Sequence, residues 1–444
     1  MMGRQEFSQD QLFYSFNLEA VVPTDHILRG IDEHLDLSGQ RDHLKPFYSH
    51  TGRPSVDPEL LIRMLIVGYA FGIRSERRLC EEVRLNLAYR WFCRLGIEDT
   101  IPDHSTFSKN RCGRFRDGGL VRHLFDAVLS RCIEEGLVGG EGFAVDASII
   151  AADANRQRTL TPDEIASGKQ EVSQAVTDYI AALDEDAKPS KRVSLTDPEA
   201  RWTAAKGGPA FHAYSANYLI DLQTGIVVDS HTTQALKTDE VEASKTMLDR
   251  TRERFGLHPE RLAADTAYGT GPMLDWLVQH RAIEPHIPVW DKTATKPGRL
   301  SVSDFEWDAE ADRYVCPEGK FLTSNGNIST EETRAYVART ADCRNCPLKM
   351  VCSPLKPYRI IKRSVYEEAR AYARSLADTP SYLQSRDDRK KVEMSFAQLK
   401  RTLKITRLRL RGLMNAADEL MLGAIALNLR KLAKFAWKPP EPSF

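Results

Sequence analysis

The spacing of hydrophobic and polar positions separates a helical start from a mixed remainder. Residues 1–135 carry apolar positions three or four apart, with amphipathic runs at 57–72, 75–95 and 118–135. These runs predict an all-helical N-terminal domain. At GFAVDASII, residues 142–150, the pattern changes to the β-branched pattern of a buried strand. The helical domain is therefore expected to end near residue 135.

Beyond that strand, the pattern predicts a mixed sheet with helices on its faces. Two alternating stretches flank a Gln-Thr-Gly turn and predict a hairpin at 212–231. The elements expected next are a helix at 239–255, a strand at 261–269, a helix at 272–281 and a strand at 283–289. Residues 155–208 are polar and poor in strand formers, which predicts an insertion with one short helix near 170–184. Helices are expected again from 365 to the end.

The composition is that of a soluble globular protein with two or three domains, since 42% of its 444 residues are hydrophobic and 28% are charged. Its 62 basic and 62 acidic residues cancel, so nucleic-acid binding can be argued only from local clusters. The longest apolar stretch, 60–73, is too short to span a bilayer and contains Arg63. The first residues lack the apolar run of a secretory signal, so a cytoplasmic, nucleoid-associated protein without a membrane partner is expected.

One strongly basic cluster lies at residues 386–404, RDDRKKVEMSFAQLKRTLK. Read as one helix, it places Glu393 on a face with four cations, which are Arg386, Arg389, Lys400 and Lys404. A solvated face with i,i+4 ion pairs is the ordinary interpretation of such a helix. That interpretation leaves unexplained why residues 386–411 hold ten Lys or Arg and only three acidic residues. The excess favours an anionic ligand.

Two further carboxylates follow apolar strands, Asp146 in FAVDAS and Asp265 in LAADTAYG. Taken singly, each is ordinarily a strand-end or N-cap aspartate. Together with Glu393 they form an all-oxygen set suited to Mg²⁺. Two such ions can activate a nucleophilic oxygen and stabilise the leaving oxygen of a phosphodiester displacement, while neighbouring cations hold DNA phosphates.

The order D…D…E, with R-x3-E-x6-K formed by Arg389, Glu393 and Lys400, resembles the Y-x2-R-x3-E-x6-K signature of insertion-sequence DDE transposases. The helical start and the C-terminal ALNLRKLAKF also resemble this family. The resemblance implies a ribonuclease H-like core in which Asp146, Asp265 and Glu393 bind two Mg²⁺ or Mn²⁺ ions.

The same resemblance implies DNA partners. Arg389 and Lys400 would contact phosphates at the transposon end, and Arg386, which replaces the Tyr of the signature, is expected to contact phosphate as well. Lys404 is expected to add a further DNA contact. The double-stranded DNA would comprise the terminal inverted repeats and the target, held by a homodimer.

The long separation of Asp265 from Glu393 predicts an insertion at residues 290–365. It holds four cysteines, which are Cys316, Cys343, Cys346 and Cys352. A C-x2-C pair with two further cysteines in a reducing compartment indicates a candidate structural Zn²⁺ site, with ordinary buried thiols as the alternative. The other cysteines occupy helical core positions and are expected to be inert; they are Cys80, Cys93, Cys112 and Cys132.

The sequence thus predicts an α/β protein in four parts. A helical DNA-recognition domain at 1–135 precedes the first part of the core at 136–289, the cysteine-containing insertion at 290–365 and the C-terminal core helices with Glu393 at 366–444. The predicted function is a transposase that cleaves transposon ends and transfers strands to target DNA. The alternatives are a metal-dependent nuclease of the same fold and a non-catalytic DNA-binding regulator.

Overall fold

The architecture comes from a computed structural model that describes residues 16–49, 51–52, 55–111, 113–168, 171–183, 190–204, 207–289 and 298–435. The chain forms two compact units, each assembled from separated segments. The first contains the chain up to Gly139, Ala147–Gly256 and the chain from Lys391, and the second contains Gly140–Asp146 and Leu257–Lys390. The predicted division into four consecutive parts stays a prediction.

Helices dominate the described residues up to Gly139. In chain order they are α1 (Leu18–Val21), α2 (Ile27–His34), α3 (Ser38–Leu44), α4 (Pro58–Ala70), α5 (Glu76–Leu85), α6 (Leu87–Phe92), α7 (His104–Arg111), α8 (Arg114–Asp117) and α9 (Leu120–Glu134). The three predicted amphipathic runs coincide with α4, with α5 and α6, and with α9. Helix α4 begins where the Asp57 side chain accepts the N–H of Glu59 and Pro58 takes the first helical position.

The middle of the chain supplies most of the strands. They are β1 (Gly142–Ala151), β2 (Thr159–Leu160), β3 (Val193–Ser194), β4 (Arg201–Ala204), β5 (Ala210–Asp221), β6 (Val227–Gln234), β7 (Arg261–Ala263) and β8 (Glu284–His286). The helices among them are α10 (Pro162–Ala166), α11 (Gln174–Ala181), α12 (Lys237–Phe255) and α13 (Gly271–Asp275), with a π-helical turn at Trp276–His280.

Six of these strands form a mixed sheet in the order β4-β5-β1-β7-β8, with β6 also paired to β5. Strands β1, β7 and β8 run parallel, whereas β4 and β6 are antiparallel to β5. The hairpin of β5 and β6 was predicted from its turn, in which Asp221 Oδ1 accepts the N–H groups of Gln223 and Thr224. The prediction of a mixed α/β sheet is therefore confirmed.

The strand predicted at 261–269 is shorter in the structure. Strand β7 ends at Ala263, and a 3₁₀ turn at Thr266–Tyr268 follows, with Asp265 as its N-cap. The N–H groups of that turn need the acceptor that Asp265 provides, so the chain leaves the sheet there.

The predicted insertion forms its own antiparallel sheet, β13-β12-β11-β10-β9. Its elements are β9 (Glu306–Asp308), β10 (Arg313–Val315), β11 (Phe321–Thr323), β12 (Thr333–Ala338), α14 (Thr340–Arg344), α15 (Lys349–Cys352) and β13 (Ile360–Ser364). Phe305, Tyr314, Leu322, Tyr336 and Ile361 form a separate buried core beneath it. The insertion thus has a hydrophobic core of its own.

Four helices complete the described chain: α16 (Glu367–Leu376), α17 (Pro380–Asp388), α18 (Lys390–Arg401) and α19 (Leu413–Phe435). Helix α19 packs against α2, α4, α9 and β6 within the first unit. Among the described residues, no helix is long and apolar enough to cross a membrane.

Candidate active site

The parallel strands β1 and β7 are neighbours in the sheet, and their pairing fixes the positions of Asp146 and Asp265 in the second unit. Ala144 of β1 pairs with Ala263 of β7. Each aspartate comes two residues after its alanine, and the backbone of Asp265 is still extended, with φ −81° and ψ 175°. Because side chains two apart share a face of a strand, both carboxylates lie on one face of the sheet. Asp265 follows the end of β7, but β1 continues to Ala151, so the prediction that Asp146 ends its strand is wrong. The register of the sheet thus brings these two predicted site residues together.

Asp146 faces a guanidinium group. Arg389 Nη1 lies 3.9 Å from Asp146 Oδ2, and the two side chains are 24% and 21% exposed. At that burial the attraction is screened less than in a fully exposed pair. Arg389, predicted as a phosphate contact, therefore lies beside one of the predicted metal ligands.

Asp265 is oriented by its capping role. Its Oδ1 accepts the N–H of Ala267 at 2.8 Å. The ordinary interpretation of this residue, an N-cap, is thus realised in the fold. A carboxylate offers about four lone-pair sites, so the cap does not exhaust its capacity as a ligand.

Glu393 belongs to the first unit, on helix α18. The apolar stripe of this helix is buried at Val392, Phe396 and Leu399, and the Phe396 ring stacks on Tyr218 with centroids 4.9 Å apart. Glu393 lies in the first turn and is exposed. A carboxylate at this end of a helix is favoured by the exposed N–H groups there.

Lys400 shares the Glu393 face of α18, since seven residues make two turns. Its Nζ donates to Ser148 Oγ on β1 at 2.7 Å. Burial lowers the pKa of Lys400. Ser148 comes two residues after Asp146 along the same strand.

The single helix predicted for 386–404 is wrong. Helix α17 ends at Asp388, Arg389 is its C-cap, and α18 runs only from Lys390 to Arg401. Lys404 adopts a left-handed backbone, with φ 56°. Among the four predicted cations, only Lys400 therefore lies on the helix that carries Glu393, while Arg386 and Lys404 are exposed outside it.

The end of α18 has a packing cause. Thr402 and Leu403 both donate their N–H groups to the carbonyl of Gln398, and Ile405 donates to that of Leu399. These bonds to residues four to six positions earlier widen the last turn, and they leave Leu403 and Ile405 fully buried. A continued helix would have projected these two side chains in directions about 200° apart.

One interaction near the site was not anticipated. His286 Nδ1 and Ser385 Oγ lie 2.8 Å apart and are buried, joining α17 to β8 within the second unit. Burial lowers the pKa of His286, which favours the neutral ring. The sequence contains no local signal for this pair, because 99 residues separate the two partners.

Three of the four cysteines of the insertion pack around its core. Cys316, Cys343 and Cys352 pack against the buried aromatic cluster, and Cys316 Sγ accepts the N–H of Lys320 at 3.3 Å. Burial raises the pKa of Cys352, and the other three thiols raise it further. Within the described residues, however, no three His, Cys, Asp or Glu side chains are arranged so that they could hold a metal ion.

The remaining described cysteines are core residues, as predicted. Burial raises the pKa of Cys80 to about 11 and those of Cys93 and Cys132 to about 12. Thiols with such pKa values are poor nucleophiles at neutral pH. Cys112 lies outside the described residues.

Comparison with known proteins gives two family matches. Residues 16–112 match a model described as a transposase domain (DUF772), and residues 315–433 match a transposase DDE domain. A structure described as a piggyBac transposase synaptic complex with hairpin DNA aligns with 94% of this chain and 74% of its own, at 10% identity and a TM-score of 0.35. No curated protein matches the sequence.

Both matched models describe transposases, which defines the class of the protein. The second match includes the helix that carries Glu393. The two matches thus support an insertion-sequence DDE transposase.

Proposed function

We propose that this transposase cleaves DNA at the ends of its element and joins those ends to target DNA, with Asp146, Asp265 and Glu393 as its catalytic carboxylates. The observation that carries the proposal is the register of β1 and β7, which favours a common face for Asp146, within β1, and Asp265, just after β7. The mixed order of the sheet supports a ribonuclease H-like core.

The donor set fits hard divalent cations. Three carboxylates supply only oxygen ligands, which Mg²⁺ and Mn²⁺ prefer, and Asp146 is partly open to solvent. When bound, two such ions activate the attacking oxygen and stabilise the leaving oxygen of a phosphodiester displacement.

The basic residues of the site would position DNA. Arg389 neutralises Asp146 in the protein as it stands, and its planar guanidinium suits a phosphate when DNA arrives. Lys400 is held near β1 by Ser148. Arg386 and Lys404 are exposed and would contact phosphates farther along the duplex. The N-terminal helices would recognise the terminal inverted repeats, and two copies of the chain would hold the two ends.

A structural Zn²⁺ in the insertion forms a second part of the proposal. Cys316, Cys343 and Cys352 surround one small core, and Cys346 completes the C-x2-C pair. Cys316 Sγ also accepts the N–H of Lys320. Zinc binding would require the four side chains to turn toward one point, since they are not so arranged here.

The decisive experiment compares the native protein with Glu393→Gln on an oligonucleotide that carries the element's own end. The expected result is Mg²⁺-dependent cleavage that the variant loses by about three orders of magnitude or more while it still binds DNA, because the amide cannot supply a charged ligand. Glu368→Gln, in the first turn of α16 and also exposed, is the matched control and should cleave normally.

The same reaction separates the alternatives. Addition of target plasmid should give joined product from a transposase, whereas a nuclease of the same fold would give only cut ends. Equal cleavage by native protein and Glu393→Gln would remove Glu393 from the site. DNA binding without any cleavage would favour the regulator.

A further inference from the structure

Charge is strongly segregated along the insertion. Residues 300–332 contain eight acidic and two basic side chains, whereas residues 339–363 contain seven basic side chains and one acidic. The second stretch includes α14, α15 and β13. The near-zero net charge of the whole chain therefore conceals a basic half of the insertion.

The basic half borders an open groove of about 490 Å³. Its cationic lining is Arg299, Lys356, Arg359 and Lys362, and none of the described residues that line it is a carboxylate. Hereafter it is the basic groove.

The cations of the basic groove are largely uncompensated. Among the described residues, no carboxylate lies within ion-pair distance of Arg299, Lys356 or Arg359. Lys362 Nζ has one partner, Glu331, at 3.3 Å, with side chains 63% and 72% exposed. A pair so exposed contributes little and can exchange partners.

Arg359 forms a rigid part of the groove. It donates through Nη1 to the Cys352 carbonyl at 2.9 Å and through Nη2 to the Leu300 carbonyl at 3.2 Å. Both partners are neutral, so the positive charge stays in the groove wall. Arg299, Lys356 and Lys362 are exposed around it and can reach a bound anion.

We infer that the basic groove binds the phosphate backbone of double-stranded DNA at a place separate from the three catalytic carboxylates. Several cations spread along an open groove without carboxylates suit a chain of phosphates better than one small anion. The contact would be independent of base sequence, because it reaches only the backbone. The inference rests on the proposed function, since DNA is the polyanion that such a protein handles.

The test measures salt dependence with the full-length protein. A duplex of about 40 base pairs without the element's end is titrated, in the absence of Mg²⁺, at several salt concentrations between about 50 and 200 mM. The triple variant Arg299→Gln, Lys356→Gln, Lys362→Gln should bind with a log–log salt slope about 2.7 smaller than that of the native protein. Between those concentrations, the native affinity should then fall about 40-fold more than that of the variant.

Two control variants test whether a smaller salt slope comes from the loss of the three groove cations. The charge-preserving variant Arg299→Lys, Lys356→Arg, Lys362→Arg should keep the native slope. Lys320→Gln removes an exposed cation from the acidic stretch and should also leave the slope unchanged. Thermal unfolding followed by the fluorescence of Trp307, which packs against the insertion core, checks that each variant is folded.

An unchanged slope in the folded triple variant would overturn the inference and leave an acidic peptide as the alternative ligand. Cleavage of the element's end by the same protein is scored in parallel. If the element's end is cleaved but the salt slope of the triple variant is unchanged, only the inference about the basic groove is wrong. If the slope is reduced but no cleavage occurs, the proposed function is wrong and the inference about the basic groove stands. A native protein that binds no DNA overturns both.

Discussion

One buried aspartate in the first unit, Asp197, joins strand β5 to the turn before α19. Asp197 is fully buried, and its Oδ1 accepts the hydroxyl of Tyr214 at 2.7 Å and the N–H of Gly412 at 3.1 Å. Its Oδ2 has no partner among the described residues. Burial raises the pKa of Asp197 to about 6, with Glu199 adding to the rise and Arg411 opposing it.

This pKa makes stability depend on pH. The folded state holds the Asp197 proton more tightly than the unfolded chain, whose carboxyl has its ordinary pKa of 3.8. The stabilisation is therefore complete below about pH 4 and is lost as pH rises through about 6, by up to about 3 kcal/mol.

Asp197→Asn should abolish this part of the pH dependence, because the amide is neutral at every pH and can still accept at Oδ1. Urea unfolding between about pH 4 and pH 8 should show a smaller fall in unfolding free energy for the variant. Asp418, whose pKa is also raised to about 6, titrates in both proteins and cancels in the difference. Parallel profiles for the two proteins would show that Asp197 is ionised in the fold.

Glu419 on α19 makes a second buried polar contact in the first unit. It is 1% exposed, accepts the N–H groups of Arg409 and Leu410, and pairs with Arg74. Burial raises the pKa of Glu419, and the Arg74 guanidinium opposes that rise. The carboxylate thus fastens the chain after α18 to both α19 and the turn after α4.

Glu419→Ala is expected to cost about 3 to 5 kcal/mol in unfolding free energy, since it leaves the Arg74 charge and two N–H groups without their acceptor. Glu419→Gln should cost less, because its amide oxygen still accepts. Urea titration of both variants measures the costs. Equal and small costs would mean that water replaces the carboxylate.

At the scale of helices and strands, the sequence predicted the elements that depend on neighbouring residues. It did not predict the boundaries that depend on tertiary packing. The β5–β6 hairpin was predictable because its turn residues, Asp221 to Gly225, lie next to one another in sequence. The three-residue strands β9, β10 and β11 are too short to show an alternation. The break at Arg389 was missed because all of 386–404 fits a helical period, while the burial of Leu403 and Ile405 decides where α18 ends.

The candidate site also has some residues that the sequence pattern could identify and others that only the fold could. Asp146 and Asp265 were recognisable because a charged residue in or directly after an apolar strand is costly unless it is paired or binds a ligand. Their common face required the pairing of Ala144 with Ala263, which only the fold supplies. The contact between His286 and Ser385 could not be predicted from the sequence, because neither residue departs from the ordinary pattern of its strand or helix.

The insertion offers a metal-removal test at this scale. Purified protein is expected to contain about one zinc per chain, and Cys346→Ser should lose it, because four thiolates complete a structural site. Chelation should then lower the unfolding temperature of the insertion, followed by tryptophan fluorescence, in which the change should disappear when Trp307 is replaced by Phe. Cys132→Ala, which removes a core thiol of the first unit, should leave the zinc content unchanged. Native protein without zinc, and indifferent to chelator, would contradict the assignment.

For the whole molecule, segments that are consecutive in sequence do not all belong to the same compact unit. Each compact unit combines segments that lie far apart in sequence, and β1 contributes residues to both. A consecutive division such as 1–135 and 136–289 is what sequence patterns can propose, since they carry no information about which distant segments meet.

The position of helix α19 in the chain determines when the first unit can finish folding during synthesis. It covers α2, α4 and α9, yet about 280 residues separate the end of α9 from its start. At roughly 5 to 20 residues per second, the ribosome needs about 15 to 60 s to cover that distance. The apolar faces of the first helices stay uncovered for that time, so the unit that carries Glu393 is completed only after α19 has been synthesised.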